Sequence, residues 1–214
     1  MHRKGSNTQS EDEWRLFEAE SAYAESALQE SMGDMEACIA AVEQALAIKP
    51  DYPPAVLTMG SIEYQRGNLQ EGARLFSTLL SLPNEFGDLC EVIDKAGDFL
   101  IQEARYAEGL KHYEAAAQRF PECVSLYQGV SCCAGHQGLF DKAVEASQRA
   151  LELEPDSQEL VNDLGWSLFE AGRLDEAREV LMRAVDMNPL DELARENLRV
   201  CLLELSESPA ADEN

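Results

Sequence analysis

The chain has 214 residues, 45% of them hydrophobic, and its 17 Lys and Arg against 41 Asp and Glu give a formal net charge of −24 at pH 7. A surface this acidic repels phosphate backbones and anionic lipid headgroups, which excludes nucleic acid and membrane surfaces as expected partners. No apolar stretch approaches the roughly 18 residues that a membrane-spanning helix needs.

The cysteines and the first residues bear on the compartment. The six cysteines form no Cys-x-x-Cys pair, and a chain of this length needs no disulfide framework for stability. Residues 1–10 carry basic side chains with no apolar segment behind them, so we expect no secretory signal. Reduced thiols in a cytoplasmic protein are therefore the expectation.

The first predicted helix follows a disordered stretch over residues 1–10. Ser10 and Glu13 have the spacing of a capping box, which predicts a helix start near Glu11. An apolar stripe at helical spacing follows it, formed by Trp14, Phe17, Ala24 and Leu28. Residues 11–31 are compatible with one long helix or with two shorter ones.

Helix-breaking residues recur through the rest of the chain with a period near 34 residues. One series consists of Pro50, Pro83, Pro121, Pro155 and Pro189. A second series consists of Gly33, Gly67, Ala104, Gly138 and Gly172. Between these residues the apolar pattern is helical, so each period predicts two short helices joined by a turn.

Small residues occupy one fixed place in each predicted helix. The first helices carry Ser26, Gly60, Gly97, Ser131 and Gly165. The second helices carry Cys38, Gly72, Gly109, Ala143 and Ala177. Because a glycine inside a helix costs about 1 kcal/mol relative to alanine, we interpret these positions as sites where helices approach closely.

The chain is predicted to end in a capping helix and a tail. Residues 192–205 form one more amphipathic helix, with the mixed character expected of an element that covers the end of a repeat stack. Residues 206–214 are expected to be a disordered acidic tail.

A period of 34 residues, paired helices and small residues at two fixed places resemble the tetratricopeptide repeat family. The resemblance covers about four-fifths of the chain. It predicts an all-α fold, an α-solenoid of five helix-turn-helix repeats plus the capping helix. The predicted repeats are residues 19–52, 53–89, 90–123, 124–157 and 158–191.

No motif indicates catalysis or a bound cofactor. Cys132 and His136 lie four residues apart on one helical face, and Asp98 of the neighbouring repeat is a candidate third ligand. The usual Cys and His spacing signatures of metal sites are missing, so we expect no metal. With no phosphate-binding glycine loop and no triad, we expect neither a cofactor nor an enzyme.

In the family that this chain resembles, the first helices line a concave groove that binds partner peptides. The resemblance implies these groove residues: Tyr23, Leu57, Tyr64, Glu91, Asp94, Asp98, Ile101, Gln128, Asn162, Trp166 and Phe169. None of them is Lys or Arg, whereas the co-chaperone members hold a terminal carboxylate with a Lys, Asn and Arg clamp. The resemblance therefore disfavours chaperone tails as ligands.

Exposed aromatic residues beside acids indicate an interface. Trp166 either faces the groove or packs against the capping helix, and both remain open. We expect an adaptor, chaperone or scaffold whose groove binds a protein or peptide segment with basic and apolar residues. The alternative is a regulatory or structural subunit that self-associates or docks into a larger assembly through its convex face.

Overall fold

The computed structural model describes residues 6–83 and 88–207, with side chains from residue 11 onward. Regular secondary structure in these residues is entirely helical. The helices are α1 (Ser6–Ser31), α2 (Met35–Ile48), α3 (Pro53–Gln65), α4 (Leu69–Leu79), α5 (Leu89–Gln102), α6 (Tyr106–Arg119), α7 (Val124–His136), α8 (Phe140–Leu153), α9 (Gln158–Glu170), α10 (Leu174–Met187) and α11 (Glu192–Glu207).

The chain divides into two compact units, Met1–Phe99 and Leu100–Asn214, here called unit 1 and unit 2. In unit 1, α1 packs on α2 and α3 packs on α4. In unit 2, α6 to α11 each pack on the next helix, and α7 also contacts α9. Each unit is thus a stack of antiparallel helix pairs, the arrangement of an α-solenoid that the sequence predicts.

The small residues lie where helices meet. A Cβ built on Gly60 would come within 2.5 Å of the Phe76 ring, and one on Gly165 within 2.6 Å of Leu181. Ala143 and Ala177 are buried at the corresponding contacts. The predicted close approach is confirmed, because only a residue without a side chain leaves room for the ring or the leucine.

Tyr64 is a core residue and not an exposed groove residue, so this part of the predicted site is wrong. Its side chain is only 7% exposed and packs against Phe76 and Phe99, with ring centroids 5.2 and 5.7 Å away. A Cβ on Gly72 would lie 2.6 Å from the Tyr64 ring. The ring therefore fills the slot that the glycine leaves on α4.

The N-terminal helix differs from its prediction in start and in buried face. It begins at Ser6 and continues unbroken to Ser31, so residues 6–10 are helical, while the predicted disorder of residues 1–5 lies outside the described residues. Its apolar stripe is exposed, with Trp14 at 65% and Phe17 at 62%. The contact with α2 uses small side chains instead, and the buried residues are Ala19, Ala22 and Ser26.

The capping helix is α11, and it buries a second predicted groove residue. Ala194 and Cys201 are fully buried in contact with apolar clusters of α9 and α10. Asn197 Nδ2 donates a hydrogen bond to Asn162 Oδ1 at 3.0 Å, and Asn162 is 4% exposed. Asn162 therefore anchors the cap and is not available to a ligand. The helix continues to Glu207, so the disorder predicted for residues 206 and 207 is wrong, and the rest of the predicted tail, residues 208–214, lies outside the described residues.

The part of the chain that the structure describes contains neither a membrane-spanning helix nor a disulfide bond. None of the helices in the described ranges combines the length and the apolar character that crossing a bilayer requires. All six cysteines are free thiols, and burial raises the pKa of the Cys38 and Cys201 thiols, which favours their protonated form.

We expect Ala104→Gly to stabilise the protein by about 1 kcal/mol, because Ala104 has a φ of 54° in the turn between α5 and α6. Glycine takes this left-handed conformation at the equivalent turns, as at Gly138 with a φ of 71°. The reverse change, Gly138→Ala, is the matched control and should destabilise by a similar amount. Urea unfolding measures both, and a destabilising Ala104→Gly would contradict the assignment.

Candidate functional site

The predicted groove residues of α1 and α3 contact other residues of unit 1. The Tyr23 hydroxyl lies 2.9 Å from Thr58 Oγ1, and its ring meets the Tyr52 ring edge-on at a centroid distance of 5.7 Å. Leu57 is half-buried on α3. Tyr23 therefore joins α1 to α3 and has a structural role of its own.

The acidic residues of α5 include one that a lysine already neutralises. Lys95 Nζ donates a hydrogen bond to Glu91 Oε1 at 2.6 Å, and this bond lowers the pKa of Glu91. Asp94 is half-buried and Asp98 is exposed, while Ile101, near the end of the same helix, is half-buried. Recognition of a basic partner by these acids stays a prediction.

Unit 2 contains a cavity of about 500 Å³ between α7 and α9, with α8 at its base, here called the α7–α9 cavity. It is lined by Gln128, Ser131, Cys132, Gly135, His136, Ser147, Ala150, Leu160, Asp163, Trp166, Ser167 and Glu170. None of these described residues is Lys or Arg. Of the predicted groove residues, Gln128 and Trp166 lie in this lining.

Three serine hydroxyls from three helices form the floor of the cavity. Ser131 Oγ lies 2.7 Å from Ser147 Oγ and 3.1 Å from Ser167 Oγ, and the latter two are 2.9 Å apart. Each hydroxyl can donate one hydrogen bond and accept another, so the three groups satisfy one another in a closed ring. The polar floor of the cavity therefore has its hydrogen bonds satisfied in the absence of a ligand.

The wall formed by α9 carries the carboxylates of Asp163 and Glu170. Gln128 Nε2 donates to Asp163 Oδ2 at 3.1 Å and lies 3.4 Å from Glu159 Oε1. Burial raises the pKa of Asp163, the Gln128 hydrogen bond opposes this, and the charge of Glu159 adds to it. Glu170 lies beside Gly135, where a Cβ would come within 3.0 Å of Glu170 Oε2.

The aromatic residues of α9 have different environments. Trp166 is half-buried in the wall of the α7–α9 cavity. Phe169 packs beneath it, with ring centroids 5.0 Å apart, and against a core cluster that includes Leu168 and Cys201. Phe169 thus supports the indole, and Trp166 is the aromatic ring that lines the cavity.

Cys132 and His136, the pair considered as metal ligands, both line the cavity. The histidine contacts an aromatic ring. Its ring stacks on Tyr106 at a centroid distance of 4.0 Å. Among the residues with described positions, no group of three or more His, Cys, Asp or Glu is arranged to hold a metal ion.

Asp163, Glu170 and the buried serines are residues that the sequence reasoning missed. Asp163, Trp166 and Glu170 follow one another at spacings of three and four, which places them on one face of α9. That spacing is a signal in the sequence. Only the packing of α7 against α9 shows that this face borders a cavity.

A second cavity, of about 620 Å³, lies between α6 and α8 and is called the α6–α8 cavity. Here cations and acids pair with each other: Lys142 binds Glu114, and Arg149 binds Glu152 at 3.1 Å and lies over the Tyr127 ring. The cations that line the α6–α8 cavity are therefore paired with acids, whereas no described residue lining the α7–α9 cavity is a Lys or Arg.

We expect Asp163→Asn to be more stable than the parent protein at pH 7. Because burial raises the pKa of Asp163 in the folded state, the unfolded chain releases this proton at a lower pH. Stability is then lost as the pH rises from the ordinary aspartate value of about 3.9 through the raised value. The asparagine variant should not show this loss.

Urea unfolding at several pH values from about 3.5 to 7 measures the effect. The gain in the variant should vanish at the acidic end, where Asp163 is protonated in both states. Glu145→Gln, which removes an exposed carboxylate on α8 with no contact to Asp163, controls for the loss of a negative charge. Equal stability of Asp163→Asn and the parent at pH 7 would contradict the burial argument.

Comparison with known proteins agrees with this architecture. Three sequence models of the tetratricopeptide repeat match residues 19–52, 95–157 and 136–199. The chain is 23% identical over 124 residues to the small glutamine-rich tetratricopeptide repeat-containing protein 2 of Mycosarcoma maydis. This match takes in 58% of the chain and 35% of that protein, so the chain spans about a third of that relative's length.

Solved structures show the same fold. The structure of YrrB, described as a tetratricopeptide repeat protein with an unusual peptide-binding site, aligns with a TM-score of 0.61 at 17% identity over 91% of this chain and 98% of that one. The first such domain of Spaghetti (RPAP3), bound to the HSP90 peptide SRMEEVD, aligns with a TM-score of 0.51 at 19% identity over 55% and 93%. The repeat period, the stacked helix pairs and these matches together show that the chain belongs to the tetratricopeptide repeat family.

Proposed function

We propose that this chain is a protein-interaction module whose α7–α9 cavity binds a partner segment with basic and large apolar residues. The observation that carries the proposal is the cavity lining, in which Asp163 and Glu170 flank Trp166 and no described residue is Lys or Arg. Carboxylates attract and orient a cationic segment, and a large aromatic ring supplies contact energy through burial.

The similar structures support a peptide as the partner. One belongs to a protein with a peptide-binding site, and another holds an HSP90 peptide with two Glu and one Asp against one Arg. The α7–α9 cavity carries the same sign of charge as that peptide. The proposed partner is therefore of opposite charge, because like charges brought together in an interface oppose binding.

A random peptide library displayed on phage tests this proposal, because it samples all side-chain chemistries without bias toward any one partner. We expect the selected peptides to combine Arg or Lys with Trp, Phe or Leu, and to bind more weakly as the salt concentration rises. Asp163→Lys should weaken these peptides by at least about tenfold, because it replaces an attraction with a repulsion.

Glu145→Lys is the matched control, since it makes the same charge change in the α6–α8 cavity. It should leave the affinity within about twofold, provided that circular dichroism shows both variants to be folded. If Glu145→Lys abolishes binding and Asp163→Lys does not, the interaction surface lies at the α6–α8 cavity, which favours the docking-subunit alternative.

Trp166→Ala should act mainly on dissociation. We expect the selected peptides to leave the variant at least about tenfold faster, with little change in association, because short-range burial controls dissociation while charge controls encounter. Surface plasmon resonance measures both rates. Tyr127→Ala, at a half-buried aromatic residue of the α6–α8 cavity, should change neither rate, and equal effects of the two variants would refute the role of Trp166.

A further inference from the structure

We propose that the α7–α9 cavity receives the guanidinium group of one arginine of the partner, stacked on Trp166 between the carboxylates of Asp163 and Glu170. This inference rests on the proposed function for the source of the arginine, whereas binding of the side chain itself is testable separately. It assigns a specific anchor residue to the partner segment.

The indole is held in place before any ligand arrives. Asp163, Trp166 and Glu170 leave the same side of α9 and all line the cavity. Phe169 packs against Trp166 at 5.0 Å and is itself fixed on the core cluster of unit 2. A ring positioned in this way binds a planar cation without a further loss of side-chain entropy.

Neither carboxylate has an ion-pair partner among the residues that the structure describes. No ion pair within the described part of the chain includes Asp163 or Glu170. Asp163 receives one hydrogen bond, from Gln128, and Gly135 leaves room for the Glu170 carboxylate. A partly buried carboxylate without a counter-ion loses solvation free energy that nothing replaces. A bound cation would compensate for this loss.

A guanidinium fits this lining better than other cations do. It is planar and weakly hydrated, so it stacks on an indole while its edges donate to carboxylates on either side. A lysine ammonium is compact and strongly hydrated and cannot stack in this way. A metal ion needs a set of ligands, and within the described ranges no such group of His, Cys, Asp or Glu exists.

Fluorine NMR of the full chain labelled with 5-fluorotryptophan tests the inference directly. The chain has two tryptophans, so Trp166 gives one signal and the exposed Trp14, 65% accessible on α1, gives an internal reference. The probe is the peptide acetyl-Ala-Arg-Ala-amide. Matched peptides carry lysine, or citrulline as an uncharged isostere, in place of arginine.

We expect the arginine peptide to shift the Trp166 signal in a saturable manner while the Trp14 signal stays in place. The lysine peptide should need about fivefold more to reach its midpoint, and the citrulline peptide should produce no saturable shift. Asp163→Asn and Glu170→Gln should each raise the midpoint for arginine about fivefold. Glu145→Gln, the same neutralisation in the α6–α8 cavity, should leave it unchanged.

Two results would overturn the inference: a citrulline peptide with the same midpoint as the arginine peptide, or an unchanged midpoint in both Asp163→Asn and Glu170→Gln. Its failure is distinguishable from failure of the proposed function. If phage-selected peptides depend on Trp166 while the arginine peptide leaves its signal unmoved, the interaction site stands and the arginine anchor fails. If the arginine peptide binds but the selected peptides ignore Trp166 and Asp163, the proposed function fails instead.

Discussion

Gly165→Val should destabilise the protein by roughly 1–3 kcal/mol or more, because the new side chain has no space at the contact between α9 and α10. Even a Cβ would lie 2.6 Å from two atoms of the Leu181 side chain and 3.3 Å from its backbone nitrogen. Leu181 is fully buried, so it cannot swing away without opening the core cluster around it.

Gly135→Val is the matched control, since it makes the same change at another glycine inside a helix. A Cβ there meets only the flexible end of Glu170, at 3.0 Å, so the carboxylate can move aside. Because both variants replace a helical glycine with valine, the greater part of the difference between them reports packing at Gly165. Thermal unfolding measures it at roughly 2–4 °C per kcal/mol for a chain of this size. Equal melting temperatures would mean that α9 and α10 pack in another register.

Deletion of residues 192–214 should cost roughly 3–6 kcal/mol and promote self-association. The deletion removes α11, whose buried residues cover the apolar clusters around Leu181 and Val161. It also leaves the Asn162 amide without the hydrogen bond from Asn197. An uncovered end of a helix stack is a contiguous apolar surface, which tends to pair with another copy.

Removal of residues 208–214 alone is the control for the acidic tail. It leaves α11 whole and should preserve both the melting temperature and the oligomeric state. Analytical ultracentrifugation over a range of concentrations compares the two truncations. If the longer deletion stays monomeric and melts like the parent, α11 is not a structural cap.

The architecture of each unit follows from local patterns that the sequence displays. Helix-breaking residues at a regular period set the helix lengths, and small residues at fixed positions set where the helices approach. At Gly60 and Gly165 the packing is as predicted, because the absence of a side chain is itself the physical cause of close contact.

The sequence placed two residues in the cavity lining and two others on a face that the structure buries. A family register maps residues to a helix face, and it places Gln128 and Trp166 in the lining of the cavity. The same register predicts that Tyr64 and Asn162 contact a ligand. It misses that Gly72 leaves a slot for the Tyr64 ring and that Asn197 of α11 hydrogen-bonds Asn162.

The sequence by itself determined the repeat period, the helical fold, the sites of close helix contact and the acidic charge. Only the tertiary structure decided which aromatic rings are buried, and which carboxylates border the α7–α9 cavity without a cation. The physical reason is the distance along the chain between the residues that determine each property. Periodicity and charge are properties of neighbouring residues, whereas the environments of Tyr64, Trp166 and Asp163 depend on side chains that other helices bring to them.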